Sequence, residues 1–474
     1  MRRETTSRCA STSGDSQVRI SRRTLLGTIA AGTVLPALPL RAGTGELRAS
    51  VRDVQLAPDD FPQTSMWVYS DTAPGPTIRV TQGGRVMREV VNDLPQATTV
   101  HWHGIRLDNA MDGVPGLTQE PIVPGARFTY DFAVPDAGTY WYHSHFNALE
   151  QVSRGLSGPL IVDEVEPPDV DEDIVLALSD WRLVDPSAIS DDFGNWHDAS
   201  HAGRIGNFVT TNGTAAFSRS VKRNQRLRLR LINMAPARIF ELSVQGLSGW
   251  VAALDGMPLE QPLPIGQMFL APGGRIDLIA DVTAEVGQEA FILEIFQGEG
   301  FALAAFPVEK GGEARRGALA ALPLNPGQQA LPQMGEARTV PLAMDGGAMR
   351  GLRDAIHNGE RLDGQALAQQ GIFWAFNGQA GAPPVPLTEA ARGETLRIPL
   401  MNQTAFPHAM HLHGHHFREV LPTGGLGPAR DTILVDPGTA REIAVHCDNP
   451  GDWLFHCHML SHHAAGMATW IKVL

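Results

Sequence analysis

Apolar and polar positions alternate along this chain in short runs. Thr77-Ile78-Arg79-Val80-Thr81, Arg85 to Val91, Arg226 to Ile232 and Glu442 to His446 each largely follow a period of two, bounded by Gly, Pro and Asp. That period marks a strand with one buried face, so short strands between turn residues predict stacked β-sheets. Gly346 to Gln370 breaks the pattern and admits one short helix, most naturally over Leu362 to Gln370.

The pattern also repeats on a larger scale. Val90-Val91-Asn92 is followed, nine residues after the Asn, by His101-Trp102-His103-Gly104. Leu400-Met401-Asn402 is followed at the same distance by His411-Leu412-His413-Gly414. A second cluster, His143-Ser144-His145, begins 42 residues beyond His101, and His456-Cys457-His458 begins 45 beyond His411. Both second clusters come after a Gly turn and an aromatic stretch, Gly138 to Trp141 and Gly451 to Trp453. The middle third keeps the anchor Leu231-Ile232-Asn233 but carries Leu242 and Val244 where the imidazoles would stand. Repeats of this length are duplicated domains rather than a solenoid. Composition sets the seams: module one over 46–166, closed by Pro167-Pro168; module two over 170–308; a Gly-, Ala-, Pro- and Gln-rich connector over 309–337; module three over 338–474.

The chain has 474 residues, 43% hydrophobic and 19% charged, which fits a globular protein with a large core, and 49 Gly with 34 Pro suit a turn-rich all-β fold. Residues 1–42 read as an export signal. Ser21-Arg22-Arg23-Thr24-Leu25-Leu26 is a twin-arginine pattern, and the uncharged stretch to Leu40 contains Pro36 and Pro39 and is too short and weakly apolar to span a membrane. Cleavage is expected near Ala42. The implied partner is the twin-arginine export machinery, the implied compartment is the periplasm, and no membrane insertion is expected to persist after cleavage. The first 41 residues hold seven Arg and two acids, which leaves 31 basic and 49 acidic residues, net −18. Such a chain repels nucleic acid and anionic membranes and tolerates cationic substrates.

Of three cysteines, Cys9 falls in the leader. Cys447 reads as a small buried residue, and a metal on Cys457 would rule out a disulfide. Cys457 has imidazoles at −1, +1 and +5 and a thioether, Met467, at +10. A blue-copper site needs two imidazoles and a thiolate in a trigonal plane, with a weak axial Met. On a strand, residues i and i+2 share a face. Each His-x-His pair can therefore serve one cluster, while Cys457 points the other way. The segment reads as a wire from an electron-accepting copper to a second metal cluster. Ten of the 17 histidines lie in or beside the four clusters, too many for satisfied core residues. Zinc has no redox role, and non-haem iron wants a carboxylate with its histidines, so neither explains the Cys-His-Met set.

These four motifs together resemble the multicopper oxidases, laccase-like proteins of three consecutive cupredoxin-like Greek-key β-sandwiches, over nearly the whole chain after the leader. The resemblance implies four copper ions. It puts the type 1 copper on His408, Cys457 and His462 with Met467 axial, the type 2 copper on His101 and His411, and the type 3 pair on His103, His143, His145, His413, His456 and His458. The eight cluster imidazoles come from modules one and three, so the cluster is expected between them, with module two spacing and orienting both. The implied activity is one-electron oxidation of phenolic or aromatic donors coupled to four-electron reduction of O2 to water. Cys457, His456 and His458 would carry the electrons, and Asp112, in Met111-Asp112-Gly113, would supply protons, its alternative being a turn aspartate.

Many bacterial members carry a Glu where this chain has His463, which is read either as a proton shuttle or as a surface residue. His415 and His416 match no ligand position and read as supporting residues; His197, His201, His357 and His446 are unassigned. Cuprous oxidation in copper tolerance is the alternative activity, though only Met334, Met344 and Met349 are scattered where a Met-rich insert would lie. A copper-free structural relative would have substituted ligands, and none is missing. A two-domain nitrite reductase would need a trimer, whereas three fused modules suit a monomer.

Overall fold

The computed structural model describes residues 45–313, 319–329 and 332–474; the twin-arginine segment lies outside the described residues. The described chain forms three β-sandwiches in sequence. The first packs a sheet of Thr64–Tyr69, Gly45–Val54, Arg85–Asn92 and Arg127–Ala133 on one of Ile78–Thr81, Ser157–Asp163, Gly138–Ser144 and Val100–His103. The second pairs a six-stranded with a five-stranded sheet between Glu172 and Glu309. In the third, Thr388–Ala390, Ala468–Val473, Gly451–Cys457, His408–Leu412 and Thr432–Val435 form the sheet that carries the metal-ligand motifs. Among the described residues no helix is long and apolar enough to cross a membrane.

The internal repeat is a repeat of register. Val100–His103 pairs antiparallel with Gly138–Ser144 so that His101 stands opposite His143. His408–Leu412 pairs with Gly451–Cys457 so that His411 stands opposite His456. The three anchoring asparagines share one job. Each is buried and donates its amide to nearby backbone carbonyls: Asn92 to Gln96 and Ile122, Asn233 to Arg238 and Leu270, Asn402 to Phe406, Val435 and Asp436. Each carboxamide oxygen accepts from the backbone two residues on, at Leu94, Ala235 and Thr404. This pins the turn leading into the next strand, and losing it would remove buried hydrogen bonds worth about 0.5–1.5 kcal/mol each.

Sandwiches one and three share one continuous apolar core, including Trp102, Tyr142, Trp453 and Phe455, while the second has its own. The metal-ligand motifs therefore meet where the first and third cores fuse. Three features depart from simple alternation. The polar face of Arg226–Asn233 is not solvated, because it lies against sandwich one: Arg228 binds Glu164 and Asp277, and Arg230 binds Asp173 and Thr139. The connector is partly docked, with Leu322, Asn325 and Gln328 buried and Asn325 bonded to Ala137. The helix expected over Leu362 to Gln370 forms over Gly364–Gln369, with Asp363 accepting from Ala366 N–H as its N-cap.

Candidate metal centre

Two groups of ligand atoms lie on opposite sides of the strand end His456-Cys457-His458. On one side the Nδ1 atoms of His408 and His462 are 3.0 Å apart, and Cys457 Sγ lies 3.7 Å from each. All three side chains are fully buried, as is Met467, whose carbonyl accepts from Cys457 N–H at 3.1 Å. The outer nitrogens are already committed. His408 Nε2 donates to Thr404 Oγ1 at 2.9 Å, and His462 Nε2 donates to the His201 carbonyl at 2.6 Å. Thr404 is free to accept because its own hydroxyl donates to Asn402, so an anchoring asparagine reaches this site. Both tautomers are thereby fixed with Nδ1 bare. Burial pushes the Cys457 thiol up to about 12, so only a cation at this point would make it a thiolate near neutral pH.

On the other side eight buried imidazoles converge from the first and third sandwiches. His103, His143 and His458 offer nitrogens to one point; His145, His413 and His456 offer theirs to a second; His101 and His411 face each other close by. His413 Nε2 and His456 Nε2 are 3.1 Å apart, and His143 Nε2 and His458 Nε2 are 3.4 Å apart. His101 Nε2, His103 Nδ1, His145 Nε2 and His411 Nε2 are buried without any hydrogen-bond partner. Bare lone pairs aimed at one another in a dry interior repel unless a cation lies between them. The residues present therefore fit metal ions, and an imidazole and thiolate donor set fits copper. Burial holds His103, His143, His145, His413, His456 and His458 well below their ordinary range, which keeps them neutral and ready to ligate.

Two aspartates set these rings reciprocally. Asp112 follows the single turn Asn109–Met111 in sandwich one. Its backbone carbonyl accepts from His101 Nδ1 at 2.9 Å, and its carboxylate accepts from His413 Nδ1 of sandwich three at 2.9 Å. Asp431, just before the strand Thr432–Val435, does the mirror job. Its carbonyl accepts from His411 Nδ1 at 3.0 Å, and its carboxylate accepts from His103 Nε2 of sandwich one at 3.2 Å. The rings interleave accordingly: His101 stacks on His413 at 3.8 Å and His103 on His411 at 3.7 Å.

The second sandwich reaches this site through Arg275. All five of its guanidinium N–H groups are used: two on the Asp431 carboxylate at 2.8 and 2.5 Å, the rest on the carbonyls of Thr139, Gly273 and Asp255. Gly104 closes the first His-x-His triplet at φ 84°, and a Cβ there would strike Arg275 and Asp431. Asp431 and Arg275 carry no motif and are not visible as site residues in the sequence.

Other histidines fall into place. His463 packs its ring on His456 at 4.4 Å and lies 5.5 Å from His145, against the ligand cluster; burial lowers it to about 4. His415 is buried, bonded to the His413 carbonyl and to Asn449 N–H. His416 Nε2 lies 3.6 Å from Asp431 Oδ2. His201 contributes its carbonyl to His462, a role its side chain does not announce. Cys447 is buried and unpaired, its thiol pushed up to about 12.

Known proteins match along most of the chain. Residues 50–167, 172–296 and 359–474 each match a family model described as multicopper oxidase. The chain is 31% identical to the multicopper oxidase MmcO of Mycobacterium tuberculosis, across 95% of this chain and 96% of that protein. A copper resistance protein A homolog of Pseudomonas syringae is 25% identical across 96% and 99%. Among solved structures, Lac15 from a marine microbial metagenome is 39% identical with a TM-score of 0.74, covering 90% of this chain and 99% of that one. A multi-copper oxidase from Pseudomonas thermotolerans is 30% identical with a TM-score of 0.79, covering 92% and 100%.

Proposed function

Since the chain belongs to the multicopper oxidase family, copper-dependent oxidoreductases that include laccases, we propose that it oxidises phenolic and other electron-rich aromatic donors one electron at a time. O2 is the acceptor and is reduced by four electrons to two waters. The observation that carries this reading is the pair of ligand groups on either side of one tripeptide, His456-Cys457-His458.

Four copper ions would be held here: one by His408, Cys457 and His462 with the buried Met467 beside them in the sequence motif, one by His101 and His411, and a pair by His103, His143 and His458 and by His145, His413 and His456. Bound there, copper supplies one-electron exchange at the Cys457 site and multi-electron reduction of O2 at the histidine cluster. The protein does the rest. Cys457 binds one site through sulfur, and its two backbone neighbours bind the other through imidazole, so a short covalent path joins them. Full burial of all the ligands excludes bulk water from the donor side of that path. Asp112 holds His101 and His413 by their outer nitrogens, and from there its carboxyl would pass protons to the O2 being reduced. His463, packed on His456, takes the place of a second acid in that relay. Export by the twin-arginine machinery to the periplasm and a monomeric state complete the reading.

Cuprous oxidation is the second reading, favoured by the similarity to proteins named copper resistance protein A. Oxygen uptake by the copper-loaded protein, measured in parallel with a methoxyphenol and with Cu(I), separates the two. Faster turnover of the phenol is expected; a large preference for Cu(I) would make the second reading the right one.

A further inference from the structure

The site around Cys457 is closed from outside by a piece of the second sandwich. The five-residue helix Trp196–Ser200 stands over it, and the last carbonyls of the helix and its cap, those of Ala199, Ser200 and His201, are taken by groups of the third sandwich. Trp374 Nε1 donates to the Ala199 carbonyl at 2.6 Å, Ala348 N–H to Ser200 at 2.9 Å, and His462 Nε2 to His201 at 2.6 Å. A helix end leaves such carbonyls unpaired unless something docks on them. The Trp374 ring covers the flank, 4.4 Å from His462 and 5.0 Å from His408. Ser461 accepts from Arg204 N–H just beyond the helix, which fastens the cap a fourth time. His462 has no exposed surface, so no donor touches it.

The outer face of the cap is different. Trp196 is 57% exposed, with its ring edge against Phe373, and His197 is exposed and stacked on His201 at 4.0 Å. Trp196 and His197 follow one another on the helix, so the indole and the imidazole pair are two separate exposed aromatic faces. The indole opens the short helix that runs into His201, whose carbonyl bonds the buried imidazole.

We propose that this helix is the enzyme's electron port: an aromatic donor stacks on Trp196, and its electron reaches the Cys457 site through the hydrogen bond from His462 to the His201 carbonyl. The inference rests on the oxidase reading above and names where its donor binds. Each phenol gives up one electron inward and its hydroxyl proton to solvent, leaving as a phenoxyl radical. Four such events match one O2 taken to two waters with four protons. Because the donor is held outside, Trp196 sets KM rather than the reduction chemistry.

The test compares wild type, Trp196→Ala and Trp196→Phe, all copper-loaded, with 2,6-dimethoxyphenol and with ferrocyanide, a donor that does not stack. In Trp196→Ala the kcat/KM for the phenol is expected to fall about fivefold to tenfold, mostly through KM, the size of one lost aromatic contact. Trp196→Phe restores it, and ferrocyanide oxidation and the blue absorbance stay unchanged. Saturation-transfer NMR on the fully reduced, copper-loaded protein under argon gives a readout independent of turnover: the phenol's ring protons show transfer with wild type and lose it with Trp196→Ala. Phenol kinetics and NMR transfer unaffected by Trp196→Ala would overturn the port while leaving the oxidase reading intact. A fully loaded wild type that consumes O2 with neither donor would overturn both.

Discussion

Cys457→Ser is expected to abolish the blue absorbance and cut donor oxidation to below about 1% of wild type, because a hydroxyl neither replaces the soft thiolate nor ionises at neutral pH. The substitution is nearly isosteric, and Cys457 is fully buried in a core that includes Met410, Met459 and Met467. Folding is therefore preserved, as far-UV circular dichroism would check. The eight imidazoles on the other face keep their partners, so copper analysis should show loss of about one ion per chain and retention of the others. Oxidation continuing at full rate in Cys457→Ser would mean that electrons bypass the tripeptide.

The second large effect is expected at a residue with no motif. Asp431→Asn removes the charge that Arg275 grips with two N–H groups and weakens the acceptor for His103 Nε2. Burying Arg275 with its countercharge gone is costly, and the loss of an outer partner of a ligating imidazole lowers metal affinity about 10- to 100-fold. Arg275→Lys keeps a positive charge but gives up the planar fork that matches a carboxylate, and acts in the same direction more mildly. Both variants should keep the blue absorbance, because Cys457, His408 and His462 lie outside this network. Both should lose copper from the histidine cluster, seen as fewer copper ions per chain on metal analysis and as O2 uptake reduced in proportion. A blue band that faded together with the cluster copper would mean that the substitutions unfold the protein and that the clamp is structural only.

Much of this was legible in the sequence, for a physical reason. Strand alternation is local, so runs such as Arg85–Asn92 announce themselves, and a metal site built on strands inherits the same period of two. His101, His103, His411 and His413 are readable because the spacing that makes a strand also aims two imidazoles one way. The nearly equal spacings of the two repeats, 42 and 45 residues, reflect one register, His101 opposite His143 and His411 opposite His456. What stayed hidden lies between modules. Arg275 and Asp431 are 156 positions apart, and each is an ordinary charged residue in its own strand context. Nothing in the alternation of Arg226–Asn233 tells that its polar face is buried against another sandwich. The cap over His462 is five residues long, too short for a helical period, and it acts through backbone carbonyls that no side chain betrays.

The second module's lack of ligands thus fits a role beyond spacing. It sends Arg275 to one ligand group and the helix Trp196–Ser200 to the other, so both groups are trimmed by a domain that contributes none of their histidine or cysteine side chains.

The most direct test of the whole account is the stoichiometry of turnover. Copper-loaded protein in a sealed oxygen electrode, given a measured amount of ferrocyanide, a one-electron donor whose product is not oxidised further, should oxidise four donor molecules for each O2 consumed, and adding catalase at the end should return no oxygen. Two molecules per O2, with oxygen returned on adding catalase, would mean that peroxide is the product and that the eight imidazoles do not form a site for four-electron reduction.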